Sequence, residues 1–361
     1  MIFVHLKSPS NLIHMKKITL IIALAGSIFS SQGQDFESLL SGGEEHAGKL
    51  VSSYLQPVIE GTIYNLNNGW YRTAKTHKLL GFDVTVNASL AEVPNAKQVF
   101  TFNNSDYNMG NTTIKLSSGA QSAELPTAMG GETNEELMLE RNVDSSITNL
   151  KSTFNAPNGL LARQSSDYVG MAPLAIAQIG IGLIKKTDLT VRFVPEQSGD
   201  DYNIKLLGVG LKHNILQYFP IAKRTPLVNV SVFGGYTKLE SNYFPTGDNL
   251  DDVNINLVIQ SYTAQLLGSV DLGLINFYVG LGYTAGTSSL SYSGLYTIKD
   301  DNGVTPNSQI NLDRLSSADF DVNSLKATLG TSVNIAFLKI FADYSIQEYN
   351  SVTAGVALSF K

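Results

Sequence analysis

Three histidines lie beyond residue 33: His46, His77 and His213. Imidazole titrates near neutrality and partners nucleophiles and metals, so these positions are where chemistry would start. His213 precedes a run containing Asn229 and Ser231, the residue types of a Ser-His-Asn hydrolase site built into a barrel wall. His77 and Lys75 could form a ligand-binding pair. A run of carboxylates, Glu132, Glu135, Glu136, Glu140 and Asp144, could attract Ca²⁺. No D-x-[DN]-x-[DN]-G loop organises it, so it reads as a solvated face. No G-x-S-x-G, H-E-x-x-H or phosphate-loop pattern occurs, and cysteine is absent. That absence excludes a disulfide framework, a thiolate metal site and a catalytic cysteine. No catalytic residue, metal site or cofactor is expected, and the chain is read as non-enzymatic.

The elements that would position these residues are strands. In the last forty residues Leu325, Ala327, Leu329, Thr331, Val333, Ile335 and Phe337 fall on one side of a zigzag. Lys326, Thr328, Gly330, Ser332 and Asn334 fall on the other. Two further alternating runs follow, Ile340–Ile346 and Val352–Phe360, across short breaks. Period two marks strands with one apolar and one polar face. Only 16% of residues are charged, against roughly 25% in soluble proteins. Gly, Tyr and Phe are abundant, as a barrel wall and its interfacial girdles require. The same alternation recurs over Leu80–Leu90 and in most of the chain from Met171, giving ten legible strands. Gly208-Val209-Gly210 and Gly280-Leu281-Gly282 obey it, so they are wall glycines rather than phosphate cradles. Joins at one end are mostly short and those at the other mostly longer, the asymmetry of outer-membrane barrels. The weakly patterned region 92–170 is expected to add strands, for a total of about 12–14.

Met15-Lys16-Lys17 followed by the apolar run Ile18–Ile28, with Ser31 and Gly33 before Gln34, reads as a signal peptide. The run is too short to span as a helix, which takes about 20 residues. From Glu44 to Glu60 the apolar period becomes helical, with Pro57 expected to kink or shorten the helix. The expected fold is all-β: an up-and-down transmembrane antiparallel β-barrel with an N-terminal helical plug. Residues 1–33 are the signal peptide with an upstream extension, 34–75 the plug or hatch, and 76–361 the barrel.

Leu55-Gln56-Pro57, Asn65-Leu66-Asn67-Asn68-Gly69-Trp70-Tyr71-Arg72-Thr73-Ala74-Lys75, His77-Lys78 and Gly81-Phe82-Asp83 resemble an uncharacterised family of Bacteroidota outer-membrane proteins. Gly210-Leu211-Lys212-His213, Gln217-Tyr218-Phe219-Pro220 and Gly234-Gly235-Tyr236-Thr237 are similar to the same family. The resemblance implies a β-barrel and no activity. In layout alone the chain is also similar to the long-chain fatty-acid transporter group, whose barrels carry an N-terminal hatch.

The expected location is the outer membrane of a Gram-negative cell. The expected function is a channel or transporter for small or hydrophobic molecules. The alternative is a non-transporting anchor or scaffold that acts through its outer loops. Asp83, Thr85, Asn87, Gln265, Thr284, Thr328 and Asn334 are expected to face a mostly uncharged lumen, where Thr328→Arg should be mild and Leu329→Arg costly. Trp70, Tyr71, Lys75, His77, Tyr218, Phe219 and Phe360 are expected as anchors at the lipid–water boundary. The implied partners are outer-membrane lipid, a small hydrophobic ligand and the barrel-assembly machinery. The acidic balance, −6, argues against nucleic acid.

Overall fold

A computed structural model describes residues 44–109, 112–141, 150–160, 162, 169–199, 201–223, 225–245, 250–298, 308–315 and 317–360. The signal-peptide expectation and Asp144 lie outside these residues. Helix α1 (Glu44–Leu66) comes first, followed by an irregular thread, residues 67–81. Strand β1 (Phe82–Glu92) opens the wall. Six short strands come next: β2 (Val99–Asn103), β3 (Asn108–Met109), β4 (Thr112–Leu116), β5 (Ser122–Pro126), β6 (Glu136–Arg141) and β7 (Leu150–Asn155). The wall resumes with β8 (Met171–Leu183), β9 (Thr187–Ser198), β10 (Tyr202–Asn214), β11 (Val228–Tyr243), β12 (Leu250–Asp271) and β13 (Ile275–Ile298). A short β14 (Ser308–Asn311) precedes β15 (Ala318–Ile335), β16 (Leu338–Ile346) and β17 (Ser351–Phe360).

Ten strands, β1, β8 to β13 and β15 to β17, form a closed antiparallel meander. Closure is made by β17 returning to β1, with Phe82 opposite Phe360 and Leu90 opposite Val352. The expected total of 12–14 is therefore corrected to ten among the described residues. Strands β2 to β7 are two to six residues long, short of the roughly 9–11 that a bilayer crossing takes. They pair only with each other, β2 with β5 and β3-β4-β6-β7 in order. Their side chains Phe102, Ile114, Leu116, Leu125 and Leu137, with Tyr107 of the turn after β2, join α1 in one core.

Burial follows the period-two pattern with the apolar face outward. Along β1, Phe82, Val84, Val86 and Leu90 are exposed, while Asp83, Thr85, Asn87 and Ser89 are buried. Ile179, Phe193, Leu207, Leu266, Leu281, Leu329 and Val356 continue the exposed apolar belt round the wall. Soluble monomers rarely expose patches beyond a few hundred Å²; this belt encircles the molecule.

The lumen holds α1 and the thread. Pro57 lies inside the helix, yet α1 continues to Leu66, so the expected shortening does not occur. The residues around it explain why: Leu50, Val51, Tyr54, Leu55, Ile59 and Ile63 are all buried, and that packing overrides a local propensity cost. One end of the barrel carries the turns 184–186, 215–227, 272–274 and 336–337 together with Phe360. The opposite end carries the 93–170 domain and the joins 199–201, 244–249, 299–317 and 347–350. There β12 and β13, 22 and 24 residues long, rise past the wall and pack Val253, Ile255, Leu290 and Tyr292 into the core of the domain and α1.

Candidate functional site

The thread crosses the lumen from the domain end to the short-turn end, and wall side chains hold almost every step of it. At its start the helix C-terminus presents carbonyls with no helical partner. Arg192 of β9 donates from Nη1 to Leu66 O (2.7 Å), from Nη2 to Asn68 O (2.6 Å) and from Nε to Gln178 Oε1 (2.9 Å). Lys326 of β15 donates to Asn67 O (2.9 Å) and to the Asn68 side-chain oxygen. Both cations are buried. Helix-end carbonyls, the negative pole of the helix dipole, offset their desolvation, and the Asp343 carboxylate adds to this for Lys326.

Trp70 follows, its ring 3.5 Å below the Arg192 guanidinium carbon and 5.6 Å from the Phe233 ring. The wall beneath it is stripped to glycine. A Cβ on Gly210 would stand 2.9 Å from the indole, and one on Gly235 3.0 Å from it. Gly210→Ala is expected to displace the ring and to cost about 1–3 kcal/mol by overpacking. Trp70 is the sole tryptophan, so its emission reports the displacement directly. A red shift with loss of intensity is expected, and an unchanged spectrum would contradict the packing.

Further along, Tyr71 OH donates to Gln265 Oε1 (2.6 Å), Ser231 Oγ donates to Ala74 O (2.5 Å), and Ala74 N donates to Ser269 Oγ (3.1 Å). The thread then meets a chain of alternating charge. Arg72 Nη1 lies 2.6 Å from Asp83 Oδ2, which lies 2.9 Å from His77 Nε2. His77 Nδ1 lies 3.1 Å from Asp188 Oδ2, which lies 3.1 Å from Lys212 Nζ. These groups line a recess of about 370 Å³ open at the short-turn end.

Burial opposes the charged form of His77, but hydrogen bonds with Asp188 and Asp83 outweigh it and hold the imidazole pKa above its ordinary value. A raised folded pKa adds stability that is complete below the unfolded value, about 6.5, and is lost as pH rises through the folded value. Hydrogen exchange of the 72–78 backbone amides, corrected for intrinsic rate, is therefore expected to be slowest in mild acid and to accelerate through that window. His77→Phe should abolish the dependence; if the profile survives in this variant, another group carries it.

At the domain end a second network ties α1 to the wall. Lys97 Nζ lies 2.7 Å from both Glu60 and Glu348, Tyr64 OH donates to Glu348 (2.6 Å), and Tyr349 OH donates to Glu60 (2.7 Å). Ala128 N donates to Tyr54 O (2.9 Å), and Tyr54 OH to Asn158 O (2.7 Å), so the helix is also stitched to the domain.

Of the residues expected in the lumen, Asp83, Thr85, Asn87, Gln265, Thr284 and Thr328 are buried inside the wall. Asn334 is half-buried at the rim of the recess, donating to Gly273 O (3.3 Å). Of the expected anchors, Tyr218, Phe219 and Phe360 are exposed at the short-turn end, and Phe360 stacks on Phe82 at 5.1 Å. The other four are corrected. Trp70, Tyr71 and His77 lie inside the barrel, because their segment is the thread and not a strand approach. Lys75 stands at the mouth of the recess, 2.6 Å from Asp271.

The lumen expected to be mostly uncharged is corrected too: Asp83, Asp188, Arg192, Lys212, Lys326 and Asp343 are buried within it. Alternation alone places Arg192 inward, between outward Val191 and Phe193. What it cannot show is the helix end that Arg192 meets.

The hydrolase arrangement does not assemble. His213 Nδ1 lies 2.8 Å from Thr187 Oγ1 and its Nε2 3.0 Å from Tyr218 OH, while the Ser231 hydroxyl is committed to Ala74 O. Glu140 pairs with Lys115 (2.8 Å) and Lys151 (3.0 Å). Among the described residues no group of three or more potential ligands converges as a metal site would require.

A family model described as a family of unknown function, DUF6588, matches residues 15–360. The chain belongs to that family. No match is found among curated proteins. Solved barrels show low likeness. The attachment invasion locus protein Ail of Yersinia pestis is 8% identical with a TM-score of 0.26, over 78% of this chain and 99% of that one. The translocator domain of the autotransporter NalP from Neisseria meningitidis is 9% identical with a TM-score of 0.25, over 79% and 90%. The outer membrane channel DcaP of Acinetobacter baumannii is 12% identical with a TM-score of 0.18, over 81% and 99%.

Proposed function

We propose that this protein is a sealed outer-membrane barrel that displays a folded domain, residues 93–170, at the cell surface. The carrying observation is that the lumen-filling segment is tied at both ends. Its first half is stitched to the domain and its last residue runs into β1. A hatch of the fatty-acid transporter kind, which the layout would also fit, needs an end that can swing away. The apolar belt supports the membrane location, since hydrocarbon is the solvent such a face requires. Short turns and the C-terminal strand end face the periplasm in such barrels, which puts the domain outside. Membrane lipid and the barrel-assembly machinery are the partners this reading entails.

The channel reading keeps one observation on its side. Residues 72–77 are held by ion pairs and hydrogen bonds, which water could replace, more than by apolar packing. Purified protein in a planar bilayer separates the two. The sealed barrel is expected to give no stepwise conductance, and reproducible channels would overturn it. The absence of cysteine allows a companion measurement of orientation. Glu124→Cys, in the domain, should react with an impermeant maleimide on intact cells, and Lys78→Cys only after the outer membrane is breached. The reverse order would put the domain in the periplasm.

A further inference from the structure

Among the joins at the short-turn end, 215–227 is much the longest, and it pairs with a neighbour of unusual character. The β8–β9 turn places Lys185 and Lys186 at φ 54° and 50°, the double left-handed geometry of a tight hairpin. Both lysines are exposed. Gln217 Nε2 donates to Lys185 O (2.9 Å), and Tyr218 OH lies 3.0 Å from His213 Nε2, so turn and connector are built against each other. Ile184 adjoins the lysines in the turn, and Tyr218, Phe219 and Ile221 follow Gln217 in the connector, each of the four more than half exposed. Leu211, an outward residue of β10, continues this apolar surface into the belt.

Amphipathic rings and aliphatic tips beside paired ammonium groups, at the edge of a hydrocarbon-facing belt, match one environment: the headgroup layer of a bilayer with negative charge. We infer that the turn 184–186 and the connector residues 215–221 seat the headgroup of an anionic phospholipid of the periplasmic leaflet. Lys185 and Lys186 meet its phosphate, and Ile184, Tyr218, Phe219 and Ile221 enter the acyl boundary. The inference rests on the membrane-spanning reading and adds a lipid class to it. It does not depend on whether the lumen is sealed.

The test uses vesicles of equal phosphatidylglycerol and phosphatidylcholine in which only one lipid carries bromine on its chains. Phe219→Trp supplies the fluorophore. The unsubstituted protein, which carries Trp70 alone, supplies the background that is subtracted. Brominated phosphatidylglycerol is expected to quench the new tryptophan at least about threefold more than brominated phosphatidylcholine, and K185Q together with K186Q should equalise the two. Equal quenching in the parent, no quenching at all, or a preference that survives loss of both lysines would each overturn the seat. Leu329→Trp is the control in the belt. If it too escapes both quenchers, the membrane-spanning reading is what fails.

Discussion

Arg192→Met is expected to release the thread. The substitution strips donors from Leu66 O, Asn68 O and Gln178 Oε1 and removes the cation above Trp70. A buried acceptor left unpaired costs about 1–3 kcal/mol, and three are orphaned together. A loss of at least about 3 kcal/mol corresponds to roughly a hundredfold more opening, since about 1.4 kcal/mol is a factor of ten. The measurement is thiol labelling of Ala74→Cys in the otherwise cysteine-free chain. Ala74 is fully buried, so reaction requires local opening. Labelling about a hundredfold faster in the Arg192→Met background is expected, with an intermediate rate for Arg192→Lys, which keeps the charge and loses the fork. An unchanged rate would mean that the thread is held by other contacts and that Arg192 merely fills space.

Leu329→Arg is expected to cost about 2–4 kcal/mol if its position lies near the bilayer midplane, read as a lowered urea midpoint in vesicles. Leu329 is 65% exposed, between outward Val279 and Tyr344 on the flanking strands. The structure revises the companion expectation that Thr328→Arg would be mild. A lumen substitution is mild where water receives the new charge. Here Thr328 is buried, bonded to Ser345 Oγ at 2.9 Å and close to the Tyr71 hydroxyl, so an arginine has neither room nor solvent. The two arginine variants should be damaged alike, for different reasons. Phenylalanine separates the faces. Leu329→Phe should stay within about 0.5 kcal/mol of the parent, while Thr328→Phe should lose about 1–3 kcal/mol by overpacking. Equal tolerance of both would refute the assignment of inside and outside.

All ten wall strands were legible, from β1 through β17, because each residue's face in a strand depends only on parity and the outward face of the wall carries an apolar belt. Burial at Asp83, Thr85, Asn87, Gln265, Thr284 and Thr328 follows from the same parity. The helix was legible through its period, although Pro57 misstated its length. Opaque in the sequence was what fills the cylinder. Strand parity points Arg192 and Lys326 inward without naming their partners, which are backbone carbonyls at 66–68, more than a hundred residues earlier in the chain. Trp70, Tyr71 and His77 have the composition of an interfacial girdle, and the bed of Gly208, Gly210 and Gly235 that receives Trp70 reads only as small wall residues. Local pattern determined the wall of this protein. Contacts between segments far apart in the chain, which no period records, decided its interior.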